Sequence, residues 1–167
     1  MRLAILLVLL TPWAARAQQP GQPVVFAVGG LGTPISGHLP GVRHFRPLLD
    51  AKRLESAIRS HNGPVTIVGF SFGARRAIEM GKYDNVVAIH AHSPGGPIQF
   101  PRSTSAKVTI YRTQGDRLTY RSSGQAYEAL KRSGASVSIR EYPATGFPNH
   151  QFRNAIHDIN FAIKTGR

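Results

Sequence analysis

Five short runs of β-branched and aromatic residues recur along the chain with little polar alternation. They are Val24 to Val28, Val65 to Val68, Val86 to His90, Val108 to Tyr111 and Val137 to Ile139. A strand with one face in water alternates apolar and polar residues, so runs of this kind belong to strands covered on both faces. The stretches between them carry helical spacing instead. After Asp50, a candidate N-cap, Leu54, Ala57 and Ile58 fall at i, i+3 and i+4, until His61-Asn62-Gly63-Pro64 stops the helix. Further helices are predicted from Phe72 or Gly73 to Met80, from Gly124 to Ser133 with Gly134 closing it, and from Gln151 to Lys164. The last sets Phe152, Ile156, Ile159 and Ile163 on one apolar face. Strands alternating with helices predict an α/β fold, a doubly wound and mostly parallel sheet of five to six strands. The sixth strand is expected near Val42 to Phe45, because Pro34, Gly37, Pro40, Gly41 and Pro47 rule out a long helix over 33–47. The 167 residues suit a single domain, spanning 24–167.

Sheets of this kind place their working groups beyond the C-terminal ends of the strands. Function is therefore expected in the loops 29–41, 69–73, 91–100, 112–119 and 143–150. The segment before the first strand bears on the compartment. Arg2 precedes an unbroken apolar run, Leu3 to Leu10, which Thr11-Pro12 ends, and Ala15-Arg16-Ala17 has the small-x-small form of a signal-peptidase site. Residues 1–17 thus read as a signal peptide cleaved near Ala17, with 18–23 an exposed tail and the protein exported to the periplasm or medium. The apolar run is too short to span a hydrocarbon core of ~30 Å.

The absence of cysteine excludes a disulfide scaffold, a thiolate nucleophile and a lipoprotein anchor. The formal charge is +13, of which Arg2 and Arg16 supply two, so the mature chain remains strongly basic. A charge of this sign attracts anionic partners, an envelope or membrane surface among them. The basic residues are scattered, with pairs such as Arg75-Arg76 and Lys131-Arg132 rather than a dense arm, and no dedicated nucleic-acid site is expected.

Gly69-Phe70-Ser71-Phe72-Gly73 stands between the second apolar run and the second helix. A serine hydroxyl is a weak nucleophile until a base removes its proton and donors receive the developing oxyanion. Between a strand and a helix, Gly-x-Ser-x-Gly forms a sharp turn whose crowded flanks only glycine tolerates. In a chain with 17 glycines the pattern alone means little; its strand and helix give it weight. Ser71 is the candidate nucleophile, the plainer reading being an anion-binding turn. After a serine so placed, the carboxylate and then the histidine follow along the chain. Asp116 lies just past the fourth run, whereas Asp84 precedes a strand and Asp50 and Asp158 read as helix residues or caps. A turn carboxylate paired with Arg117 is the alternative for Asp116. His150 occupies the last loop, just before the final helix, while His157 falls inside that helix as a surface or packing residue.

The oxyanion donors are expected to be the amide of Phe72 and that of Leu31, from Gly29-Gly30-Leu31-Gly32. No cofactor is called for. His90-Ala91-His92 sets two rings on one strand face, which suits either an incomplete metal site or, better, a polar lining of the active-site rim. His38 is read as a loop residue near the pocket. Phe45, Phe70, Phe72, Phe100 and Phe147 line an acyl pocket or belong to the core.

Together these residues resemble the α/β-hydrolase superfamily. The resemblance runs from Val24-Val25-Phe26-Ala27-Val28-Gly29-Gly30 through the Ser71 pentapeptide and Gly115-Asp116 to Asn149-His150, essentially all of the mature chain. It implies a minimal α/β-hydrolase fold and a small esterase, lipase or thioesterase acting on a small-molecule or lipid acyl ester through an acyl-serine. Gly29-Gly30 departs from the family's usual histidine-glycine pair, and the short chain leaves no room for a substantial lid, which implies an open site. Patatin-like lipases need an Asp-Gly pair, and trypsin-like proteases a Gly-Asp-Ser-Gly in an all-β fold; neither fits. The competing reading is a non-catalytic protein of the same fold that binds an anionic envelope component.

Overall fold

A computed structural model describes residues 21–31, 35, 39, 41–99, 104–144 and 149–166. The expected signal peptide, His38, Phe100 and Phe147 lie outside them. Six strands form one sheet: β1 (Val24–Val28), β2 (Arg43–Phe45), β3 (Val65–Phe70), β4 (Val86–His92), β5 (Lys107–Thr113) and β6 (Val137–Tyr142). Their order is β2-β1-β3-β4-β5-β6, and every neighbouring pair is parallel. The α/β, doubly wound sheet expected of the sequence is present, and all of it is parallel rather than most. Four helices complete it: α1 (Ala51–Arg59), α2 (Phe72–Glu79), α3 (Tyr120–Arg132) and α4 (Ile156–Thr165).

The strand side chains divide between two cores. On one face Phe26, Ile67, Ile89 and Ile110 pack with Leu54 and Ile58 of α1, Ala74 and Ile78 of α2, and Ala126 and Leu130 of α3. On the other, Val68, Phe70 and Tyr111 meet Ile35, Leu39, Phe152 and Ile159, with Ile156 and Ile163 packed against them. The apolar stripe of the last helix is therefore what covers the second face. At about 1.5–3 kcal/mol for each large apolar side chain removed from water, this two-sided burial is the main force holding the layers together.

Several boundaries move for identifiable reasons. Helix α3 begins at Tyr120, four residues before Gly124, because the Asp116 carboxylate accepts the amides of Leu118 (3.0 Å) and Thr119 (3.2 Å) just ahead of its first turn. Asp50 stands at the start of α1 but does not cap it. Its carboxylate turns back to the Arg46 amide (2.9 Å) and to the guanidinium groups of Arg46 and Arg53. The final helix opens as a 3-10 turn, Phe152–Ala155, before continuing as α4. Strand β4 runs on to His92, so both histidines of His90-Ala91-His92 belong to the sheet interior.

Candidate active site

Because all six strands are parallel, their C-terminal ends lie along one edge of the sheet. Ser71 follows β3 there, with φ 54° and ψ −116°, a backbone conformation that side-chain-bearing residues rarely adopt. The turn is held from three sides. The Ser71 amide donates to the His92 carbonyl (2.9 Å), and the Ser71 carbonyl accepts the amides of Ala74 (3.1 Å), Arg75 (3.2 Å) and Gly95 (3.3 Å). The flanking glycines are needed for space: a Cβ on Gly69 would strike the backbone of Gly73 and Ala74, and one on Gly73 the backbone of Val28 and Gly29. The pentapeptide is thus a strand-to-helix elbow with its serine half-buried at the sheet edge.

Asp116 and His150 come from opposite ends of a 34-residue separation and meet directly, His150 Nδ1 lying 2.8 Å from Asp116 Oδ2. Asp116 is buried and makes four contacts: the two amides already named, the Thr119 hydroxyl at 2.5 Å, and His150. Burial alone would raise its pKa, but the hydrogen bonds from His150 and Thr119 outweigh it and hold the carboxyl well below the ordinary carboxylate range. The group is ionised at neutral pH. Arg117, the alternative partner, makes no ion pair with it. His150 in turn packs on the Phe70 ring, centroids 4.8 Å apart, so the residue before Ser71 supports the histidine. Asn154 clamps the segment by donating to the Asn149 carbonyl and the Thr113 hydroxyl (3.2 Å each).

The proposed oxyanion donors lie beside the elbow to different degrees. Phe72 is the first residue of α2, and the first amides of a helix have no acceptor within it. In the loop after β1, the Gly29 amide is bonded to the Phe45 carbonyl (3.2 Å). Gly30 lies so close that a Cβ there would approach the Ser71 Cβ to 3.3 Å. Leu31 follows, with its side chain more than half exposed.

His90 and His92 correct the reading of a polar rim. Both are buried, His90 against the Tyr111 hydroxyl (3.0 Å) and His92 between Phe70 and Phe152. Desolvation, aided for His90 by the charges of Arg140 and Lys107 and for His92 by His150, lowers their pKa values to about 4 and about 3. Among the described residues no group of metal-ligating side chains forms around them. Phe45 and Phe70 are buried in the core. Thr119 and Gly95 complete the site without having been singled out in the sequence. Thr119 bridges Asp116 and lies 3.4 Å from His150 Nδ1, and Gly95 backs Ser71 so closely that its would-be Cβ is 3.8 Å from the serine Oγ. The Asp-x-x-Thr spacing ahead of a helix was the available signal for Thr119.

No family model matches the sequence, and no curated protein matches it. Solved structures do. The chain is similar to Arabidopsis thaliana SOBER1 (15% identity, 86% of this chain and 99% of that one, TM-score 0.66). It is also similar to a carboxylesterase from Mesorhizobium loti (14% identity, 87% and 89%, TM-score 0.64). An esterase from Pyrobaculum calidifontis is comparable (13% identity, 88% and 78%, TM-score 0.63). At such identities the likeness speaks for the fold, and with six parallel strands, the helices on both faces and the elbow after β3, this chain has the α/β-hydrolase fold.

Proposed function

We propose that the protein is an exported serine hydrolase that cleaves an ester or thioester bond through an acyl-serine intermediate. The observation that carries this reading is the His150–Asp116 hydrogen bond at the sheet edge where Ser71 occupies its positive-φ elbow. The esterase and carboxylesterase among the similar structures support it at the level of reaction class.

In this reading Ser71 Oγ attacks the substrate carbonyl carbon while His150 Nε2 takes its proton. Asp116, accepting from Nδ1, fixes the tautomer and stabilises the imidazolium that forms. The tetrahedral oxyanion receives the amides of Phe72 and Leu31, reinforced by the N-terminus of α2. Collapse expels the alcohol or thiol, which takes the proton from His150. Water, deprotonated by the same histidine, then releases the acid and restores Ser71. The chemistry requires no cofactor.

Replacing Ser71 by alanine is expected to lower kcat on a short p-nitrophenyl ester by at least about 10³-fold with the circular dichroism spectrum unchanged. A fluorophosphonate probe is expected to label Ser71 in the unmodified protein. Undiminished turnover in the alanine variant would overturn the hydrolase reading. A protein that neither turns over esters nor takes the label would be a binder with this fold.

A further inference from the structure

The edge that carries Ser71 and His150 also carries most of the large apolar side chains exposed among the described residues. There are six of these: Leu31 (56%), Leu48 (55%), Leu49 (73%), Leu118 (76%), Val87 and Phe161. Single exposed hydrophobes are ordinary, and their distribution is the informative part. Leu31 lies just past the end of β1, Leu48 and Leu49 just past β2, and Leu118 just past β5. Parallel topology therefore sets all four on the active-site edge. Val87, by contrast, sits at the opposite end of the sheet, at the start of β4. From β2 to β5 the leucines span roughly 19 Å, at about 4.8 Å per strand.

Among the described residues the exposed charge on this edge is mainly positive. Arg46 and Arg53 are exposed beside Leu48 and Leu49, and Arg117 and Arg121 flank Leu118. The carboxylates here are occupied. Asp50 is bonded to Arg46 and Arg53, Asp116 to Thr119 and His150, and Glu141, near the end of β6, to Arg112, Gln114 and Tyr120. The first turns of α1, α2 and α3, which begin at this edge, contain no acidic residue, and that of α4 contains only Asp158, which is bonded to Arg140 and Tyr142. Exposed Asp84 lies at the far end, ahead of β4.

We propose that this edge docks on an anionic phospholipid surface. The leucines enter the boundary between headgroups and acyl chains, and the arginines engage lipid phosphates. Leucine supplies the apolar contribution and guanidinium the preference for negative charge, the combination by which proteins lie on a bilayer rather than cross it. No helix among the described residues is long and apolar enough to cross one. Docking would turn the mouth of the Ser71 site toward the lipid. The proposal goes beyond the hydrolase reading and does not depend on turnover.

The test is co-sedimentation of the mature protein with vesicles of phosphatidylcholine alone or with about one-third phosphatidylglycerol, at low and physiological salt. The expected result is binding to the anionic vesicles only. Leu48→Ser/Leu49→Ser with Leu118→Ser is expected to weaken it at least tenfold, with Val87→Ser as the control that binds like the unmodified protein. Ser71→Ala is expected to bind fully, which separates docking from catalysis. Absence of binding, equal binding to both vesicles, or a leucine variant that is folded by circular dichroism and binds undiminished would each overturn the proposal.

Discussion

At the scale of single residues, the serine elbow combines an unfavourable backbone with tight space. Ser71 carries a Cβ at φ 54°, ψ −116°, a conformation that costs on the order of 1–3 kcal/mol for a residue other than glycine. Glycine at position 71 would relieve that strain while adding only about 0.5–1 kcal/mol of unfolded-state entropy. Ser71→Gly is accordingly expected to be more stable than Ser71→Ala, by about 1 kcal/mol in urea titrations, although neither retains the hydroxyl. If the alanine variant is as stable or more so, the elbow is not strained. The candidate residues Ser71, Asp116 and His150 were legible because their positions relative to strand ends follow from local patterns. Gly95 was not, since its importance lies in a contact with Ser71, remote in sequence, and Thr119 was legible only in its spacing to Asp116, not in its approach to His150.

Among the elements, β4 has the most unusual interior. His90 and His92 are both held neutral by burial, with folded pKa values of about 4 and about 3. In the unfolded chain each histidine titrates near 6.5. Below that pH the unfolded state binds protons that the folded state refuses. The stability lost through this pair is therefore expected to be nil well above pH 6.5, to grow as the pH drops toward 4, and to level off near 3, below which the depressed carboxyls such as Asp116 continue the fall. Two such groups together give a slope of up to about 2.7 kcal/mol per pH unit near pH 5. Neither ring nitrogen of His92 has a hydrogen-bond partner among the described residues, so His92→Phe removes a titrating group without breaking a bond. Guanidinium unfolding at pH 7 and pH 5 should show about half the pH dependence in that variant, and an unchanged slope would rule out His92 as its source. The sequence pattern placed these rings on one face of a strand but ended the strand at His90. It could not show that α4 closes over that face, which is why a rim was expected where an interior exists.

For the molecule as a whole, a formal charge of +13 means that folding brings many like charges together. Raising salt from about 10 mM to about 150 mM shortens the Debye length from ~30 to ~8 Å and should relieve that repulsion. The expected outcome is a rise in Tm of about 2–4 °C, corresponding to about 1 kcal/mol, in differential scanning calorimetry. A fall in Tm would mean that surface ion pairs such as Arg140–Asp158 outweigh the net repulsion. The same excess of charge would serve the proposed docking at the leucine-bearing edge, but there it acts only because the fold gathers Arg46, Arg53, Arg117 and Arg121 onto one side.

What the sequence determined by itself was local and periodic. It specified which runs form strands, that both faces of the sheet must be covered, where the helices lie to within a few residues, and which serine stands at a strand-to-helix turn. Those properties depend on side-chain spacing, propensity and glycine placement, all readable within about ten residues. Only the tertiary structure decided the strand order, the burial of His90 and His92, the meeting of Asp116 with His150 across 34 residues, and the gathering of four leucines on one edge. These depend on which elements become neighbours, and burial and charge environment are properties of neighbours in space rather than of neighbours in the chain.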